Sequence, residues 1–387
     1  MFEIIINNTG FWFNLAIPFV VSIFLLITNK EFILKEFAIQ FLAITLILIG
    51  SYFLLFSTTT DLVDNEVYNG KIVKIIKEEP YDYNYDCSTK TCDSTGNCRT
   101  IQKTCTSTEP EKRYIVTSNK EKINISKLEW NISKNDFRAK ETKTYRSNQT
   151  SFSKLRGEGD IWIVIPNKQI PTSVEHSYIN YVVVAKHNIV NRKALESDIN
   201  YHINEKTLLP YPTLYSNKYG ATLLNRVIDT TNSGLASSYL KELNMVAMRV
   251  GKSKQANPII YITNQGRDFK NILETYYKGG KKNDTILILG VDDKKDIVWA
   301  DSISWSKTVD FSINIGNVFT DSKFNLNEVD KIVSTFENSI VKYYIRKPME
   351  EFKYLSENIT LPIGWQVFIF LLNVITSFFL FRYFLKN

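Results

Sequence analysis

The chain's four cysteines, Cys87, Cys92, Cys98 and Cys105, all fall in one stretch, YDYNYDCSTKTCDSTGNCRTIQKTC. Their gaps of four, five and six residues do not suit zinc, which draws its thiolates from close pairs such as C-x-x-C, and no histidine lies near. An even number of cysteines in a polar, Thr-rich loop instead predicts two disulfides in an oxidising compartment. Four cysteines allow three pairings, and spacing does not choose among them. A bridge closing the whole cluster contributes about 3 kcal/mol by restricting the unfolded chain. Bridged sulfurs are not nucleophiles, so thiol chemistry is not expected.

A second group of reactive residue types lies further on. Gly279, Gly280, Lys281, Lys282 and Asn283 form a Gly- and Lys-rich loop followed by Asp284. Phosphate loops leave a strand and enter a helix, so that the helix N-terminus faces the anion. This loop has the opposite setting, after a helical pattern and before an apolar strand. It reads as a helix C-cap, with one glycine left-handed and the lysines complementing the helix dipole.

Asp292, Asp293 and Asp296 form an acidic turn. With Asp284 they offer carboxylates to a calcium ion, which takes about six to eight oxygens. Asp-Asp-Lys-Lys is equally ordinary hairpin chemistry. Calcium is the one cofactor these residues suggest; the expectation is that none is required. His176, His187 and His202 lie in polar segments without metal-ligand spacing and are expected at the surface. No G-x-S-x-G, H-E-x-x-H, G-x-G-x-x-G or EF-hand pattern occurs, and no catalytic constellation is expected.

Three apolar runs position these loops: Phe11–Thr28, Phe37–Phe56 and Ile363–Phe381, each free of Asp, Glu, Lys and Arg. At about 1.5 Å per residue, each covers most of the ~30 Å hydrocarbon layer of a bilayer. They predict transmembrane helices at 11–28, 37–57 and 363–381. The first run has no basic n-region and no small-residue cleavage site, so it reads as a membrane helix rather than a signal peptide. Polar residues inside the spans are few, among them Asn14, Gln40, Thr45 and Asn373. They suit interhelical hydrogen bonds, and without ionisable groups a transport path is not expected.

Lys30 and Lys35 lie between the first two runs, and Arg382 and Lys386 follow the third. The N-terminal MFEIIINNTG has no basic residue, and the exit of the second run has three acids before Lys71. The positive-inside rule then puts the N-terminus outside, residues 58–362 outside (periplasmic in a bacterium) and the C-terminus in the cytoplasm. Trp12 and Trp365 fall at the outer interface, where indoles prefer to lie.

The outer region is large enough for two domains. Residues 58–203 read as β, with strands at Val67–Lys77, Lys112–Asn119, Asp160–Pro166 and Tyr178–Asn188 forming a small antiparallel sheet or barrel. This domain carries the Cys-rich loop, 87–105. Residues 204–220, where Pro210 and Pro212 bracket Tyr211, read as a linker. Residues 221–347 alternate helix and strand. A helix capped by Ser233 runs through Val250 and is ended by Gly251. Strand Pro258–Thr263, helix Arg267–Tyr277, strand Thr285–Leu289, a hairpin across Val291–Asp296 and strand Ile297–Ser304 follow. A helix from Leu326 to Arg346, broken by Pro348, returns to the membrane. The fold class expected is a membrane-anchored α+β protein with three transmembrane helices, a small β-rich domain and an α/β sandwich.

The segments ANPIIYITNQ and FKNILETYYKGGKKNDTILILGVDDKKDIVWADSISW resemble the TPM domain, which would cover about residues 221–345. That family has a long helix, a buried strand, a helix ending in a Gly-containing basic turn, an apolar strand and an acidic hairpin. Where it carries a Gly-Tyr-Gly-Leu-Glu-like segment after the hairpin, this chain reads DSISWSK. Some members are phosphatases, which makes a membrane-bound phosphatase using Asp284 and Asp292–Asp293 the alternative that the resemblance implies. The Cys-rich loop, the YP segment at Leu209–Pro212 with Tyr215, and the GGKKND turn with Trp299 and Trp305 are also similar to phage-encoded membrane proteins. The formal charge of +7 is spread over scattered lysines, and nucleic acid is not an expected partner of an outward-facing domain. The function expected is an extracytoplasmic binding or scaffold protein, partnered by the lipid bilayer and another membrane or envelope protein.

Overall fold

The computed structural model describes residues 5–6, 8–28, 34–59, 63–92, 98–147, 156–181, 208–277, 279–358 and 361–386. Helices α1 (Thr9–Thr28), α2 (Leu34–Thr59) and the C-terminal helix (Ile363–Lys386) form a bundle. Ala38–Thr58 and Ile363–Leu380 are long and apolar enough to cross a membrane, and α1 packs beside both. Phe53, Leu54, Phe368 and Phe379 remain exposed on the bundle's outside, as lipid-facing side chains do. Inside, the Asn14 amide donates to the Tyr52 hydroxyl at 3.2 Å and the Gln40 amide to the Ser377 carbonyl at 3.4 Å. Two of the four polar residues thus make the interhelical bonds expected of them. Thr45 instead donates to the Phe41 carbonyl in its own helix, and the Asn373 side-chain amide has no hydrogen-bond partner among the described residues.

The first lobe is an open sheet built on β1 (Val63–Glu78). The second half of β1 lies between β6 (Lys112–Thr117) and β9 (Arg156–Val164), with β7 (Lys122–Asn124) and β8 (Ala139–Ser147) at the edges. Its first half pairs with β10 (Pro171–Ile179). The sheet does not close into a barrel. Helix α3 (Lys127–Phe137), absent from the sequence reading, buries Trp130 and Phe137 against Ile75, Ile115 and Val164. Its capping box of Ser126 and Glu129 is the S-x-x-E signature that marks a helix start. The strand expected at Tyr178–Asn188 runs earlier, as β10; residues 182–188 lie outside the described residues, as do His187 and His202.

A finger leaves this lobe between β1 and β6. Strands β2 (Tyr81–Asp86) and β5 (Thr104–Glu109) pair at its base, and β3 (Thr89–Cys92) and β4 (Cys98–Ile101) at its tip. The cysteines pair Cys87 with Cys105 and Cys92 with Cys98, settling the connectivity that spacing left open.

The second lobe has a four-stranded sheet in the order β13 (Val227–Asp229), β14 (Asn257–Thr263), β15 (Asp284–Val291), β16 (Ile297–Ser304). The first three strands are parallel and β16 is antiparallel. Every residue of β14 and β15 is buried, because helices cover both faces. Alternation sends Ile260, Ile262, Leu287 and Leu289 toward α4 (Ala236–Lys254), α6 (Asp310–Asp321) and α7 (Val329–Tyr343). Ile259, Tyr261, Ile286 and Ile288 face α5 (Phe269–Tyr276) instead. Helix, strand, helix, strand, strand follow in the order expected.

Two local expectations fail. Helix α4 starts at Ala236 without a side-chain cap, and it passes through Gly251 to Lys254, where left-handed Gln255 (φ 53°) ends it. Gly251 is needed for another reason: a Cβ there would lie 2.4 Å from the Asn69 carbonyl oxygen. The glycine lets α4 press directly on β1. The stretch read as a linker is, from Leu208 onward, structured. Strands β11 (Leu214–Ser216) and β12 (Thr222–Leu224) form a hairpin whose Tyr219 packs on Phe137 of the first lobe. Leu208, Tyr211 and Leu214 pack on the second.

Candidate functional site

Strand β1 crosses from one lobe to the other, and its two faces build two different sites. Val67 and Asn69 face the second lobe; Glu66 and Tyr68 face a cleft.

The Asn69 face is a seam of buried polar groups. The β1–β10 register sets Ser173 opposite Asn69, and the serine hydroxyl donates to Asn69 Oδ1 at 2.8 Å. Both oxygens accept from Arg226 Nη2 at 2.8 Å. Arg226 Nη1 donates to Asn257 Oδ1 and the Pro258 carbonyl, both at 3.0 Å, and Nε to Asn244 at 2.9 Å. All five guanidinium N–H groups are used, on residues from both lobes. Burial pulls the Arg226 pKa down to about 10, so the group stays charged at neutral pH.

Asn257 carries the contact onward. Its amide donates to Asp284 Oδ1 at 2.8 Å. Asp284, fully buried, also accepts from the Tyr211 hydroxyl at 2.9 Å and from the Lys281 N–H at 2.7 Å. Burial raises the Asp284 pKa to about 6, against the opposing hydrogen bonds. The same burial, with Asp284 beside it, holds Tyr211 well above the ordinary phenol range.

The Gly-Lys loop turns as expected and then serves a different end. Gly279 and Gly280 are both left-handed, at φ 78° and 76°. The lysines, expected to serve the helix dipole, reach across to the first lobe. Lys281 lies 3.9 Å from Glu175 of β10 and stands over the Tyr211 ring at 5.2 Å, and Lys282, nearly buried, reaches Glu66 at 3.3 Å. Asn283 clasps the β1 backbone, donating to the Val67 carbonyl at 2.7 Å.

The four aspartates are not brought together. Strand β15 separates Asp284 from Asp292 by eight residues, roughly 25 Å in extended chain. Asp292 closes its turn by accepting from the N–H groups of Lys294 and Asp296, and Asp296 accepts from Asn325. The acidic turn is hairpin chemistry. Among the described residues no group of three or more His, Cys, Asp or Glu is arranged to hold a metal ion.

The other face of β1 lines a cleft of about 490 Å³. Glu66, 1% exposed, lies 2.6 Å from Arg346 Nη2 through Oε2. Its Oε1 has Lys282 at 3.3 Å and His176 at 3.6 Å but accepts no hydrogen bond. His176, opposite Glu66 in the register, stacks on Tyr68 at 4.5 Å. It is half exposed, with a role in the cleft that its polar surroundings in sequence did not indicate. Tyr178 donates to Asp64 at 3.0 Å, and burial raises its pKa. Glu66, Tyr68, Arg346 and the Asn69–Ser173 pair escaped the sequence reading. Period-two alternation along β1 was the only local signal for Glu66, Tyr68 and Asn69; Ser173 and Arg346 lie outside that strand.

No protein-family model, no curated protein and no solved structure matches the chain.

Proposed function

We propose that the protein is a membrane-anchored extracytoplasmic binding protein that presents its finger to another membrane or envelope protein. The observation that carries this reading is the finger itself. Strands β3 and β4 are exposed at every residue, yet a disulfide crosses them and a second braces the base. Cross-linking an element that contributes to neither core makes sense when its shape is used elsewhere. Its surface is of an adaptable, binding kind: Tyr81, Tyr83 and Tyr85 follow one another at 6.1 and 6.2 Å, among Ser, Thr and Asn. Rigid tyrosines offer large contact area at low entropic cost, and small polar residues adapt their hydrogen bonds.

In this reading α1 is a third span and the body stands outside, supported by Lys30, Lys35, Arg382 and Lys386 on the opposite side. The second lobe is read as TPM-like, supported by the order of α4, β14, α5, β15 and β16. A phosphatase activity is not carried over, because Asp284 is sealed in the seam and its hydrogen bonds are structural.

The test is photo-crosslinking in intact membranes. A photoreactive residue replacing Tyr85 or Thr100 is expected to capture one discrete partner, and one replacing Lys241 on the second lobe is not. Equal capture from all three positions, or none from the finger, overturns the reading.

A further inference from the structure

We propose that the cleft beside β1 binds the headgroup of an anionic, polyol-bearing glycerophospholipid, phosphatidylglycerol being the simplest. The inference rests on the body standing on the membrane surface, as proposed above, and adds a ligand to it.

Placement comes first. Ile179 and Tyr181 line the cleft and also pack on the cluster of Phe11, Tyr52, Phe56 and Leu361 within the helix bundle. Met349 and Lys353 line it from the segment that runs into the C-terminal helix. A cleft walled by the roots of the membrane helices opens at headgroup depth. Tyrosine is suited to that depth, with an apolar ring and a polar tip.

Charge comes second. Lys282 and Arg346 share the one buried carboxylate of Glu66, two cations for one anion, and Glu350 and Lys353 line the cleft beside them.

The unused hydrogen-bonding groups decide the chemistry. Arg346 donates to Glu66 and to Gln255, while its Nε–H is buried without an acceptor. Lys282 has three N–H groups and one carboxylate neighbour, itself shared with Arg346. A phosphodiester supplies the missing acceptor oxygens, in the charge-assisted geometry that guanidinium favours. Glu66 Oε1, which has the Lys282 ammonium at 3.3 Å but accepts no hydrogen bond, has room for a donor. A polyol hydroxyl beside the phosphate supplies one; a choline headgroup has none. The volume of about 490 Å³ is of ligand-pocket size. It holds a headgroup while the acyl chains stay in the bilayer.

The test uses the full chain in an uncharged detergent, with native mass spectrometry of added dioleoyl phosphatidylglycerol, phosphatidic acid and phosphatidylcholine. One phosphatidylglycerol is expected per chain, bound about tenfold more tightly than phosphatidylcholine, the ratio for one good charge-assisted contact. Phosphatidic acid, lacking the hydroxyls, should fall between. Lys353→Gln with His176→Gln leaves the buried groups in place and should weaken the lipid about fivefold. Glu66→Gln with Arg346→Gln removes the buried pair together and should abolish the preference. Equal binding of phosphatidylglycerol and phosphatidylcholine, or a preference that survives both double variants, overturns the proposal. Glycerol phosphate in water competing at equal affinity overturns the lipid source in favour of a soluble phosphoester. Carbonate extraction of native membranes separates the two readings. A chain that resists extraction but shows no lipid preference defeats only this inference; a chain released by carbonate defeats the membrane placement as well.

Discussion

Arg226 and Arg346 both reach β1, at Asn69 and Glu66, three residues apart on the same strand. Arg226 is sealed from water, and its five N–H groups meet only neutral oxygens: three side-chain amides, a hydroxyl and a backbone carbonyl. Arg346 is half-buried, shares one carboxylate with Lys282, and has a donor to spare. The same side chain is thus saturated on one face of the strand and under-supplied on the other. A saturated buried cation has no capacity for a ligand and holds two lobes together; an under-supplied one beside a cleft does. The difference follows from alternation along β1, which assigns odd residues to the seam and even residues to the cleft.

The comparison breaks most easily at Arg226. Arg226→Leu takes one charge-assisted hydrogen bond each from Asn69, Asn244, Asn257, Ser173 and the Pro258 carbonyl inside the seam. A loss of about 3–5 kcal/mol is expected, the range for opening a buried polar network. Thermal unfolding of the full chain in mild detergent reads it, and Arg346→Gln should cost much less. Similar melting of the two variants would mean that the seam is not what joins the lobes.

Asp284 gives the seam a pH signature. Its folded pKa of about 6 lies above the unfolded value of 3.8, so the folded state takes up the proton first. The penalty for burying the charge is fully present above pH 6 and is relieved as the pH falls toward 4. At about 1.4 kcal/mol per pKa unit, the gain is at most about 3 kcal/mol. Asp284→Asn should flatten that part of the profile. A wild-type chain whose stability falls between pH 6 and 4 relative to the Asn variant would contradict the assignment. Gly251→Ala tests the contact of α4 with β1. Its methyl group meets the Asn69 carbonyl, and about 1–3 kcal/mol of overpacking is expected.

How much of this was legible in sequence depends on how local the signal was. The apolar runs, the continuous strands β14 and β15 and the even cysteine count announce themselves within a short window. Helix α6 did not, because DFSINIGNVFTD is poor in strong helix formers. It is helical because Phe311, Ile315 and Phe319, four apart, are buried together. Lys282 was misjudged for a related reason. A lysine after a helix ordinarily faces water, and nothing near it in the chain shows that Glu66 lies within reach. The seam depends on Ser173 facing Asn69, a pairing set by strand register across 104 residues, which no local pattern encodes.

The smallest expected effect sharpens the contrast between body and finger. Cys92→Ser with Cys98→Ser opens the tip disulfide, which closes a short loop between two fully exposed strands. In the chain-entropy model such a bridge stabilises only the segment whose unfolded ensemble it restricts, by roughly 2–3 kcal/mol for a loop this short. Neither lobe draws its core from that segment, so the body's melting should move by no more than about 0.5 kcal/mol. Crosslinking through Thr100 should nevertheless fall sharply, because a frayed tip presents many shapes instead of one. If the body melts early in this variant, the finger is part of the scaffold and its bracing says nothing about a partner. If the body is untouched and capture persists undiminished, the partner does not read the tip, and the contact must be sought at the tyrosines of β2.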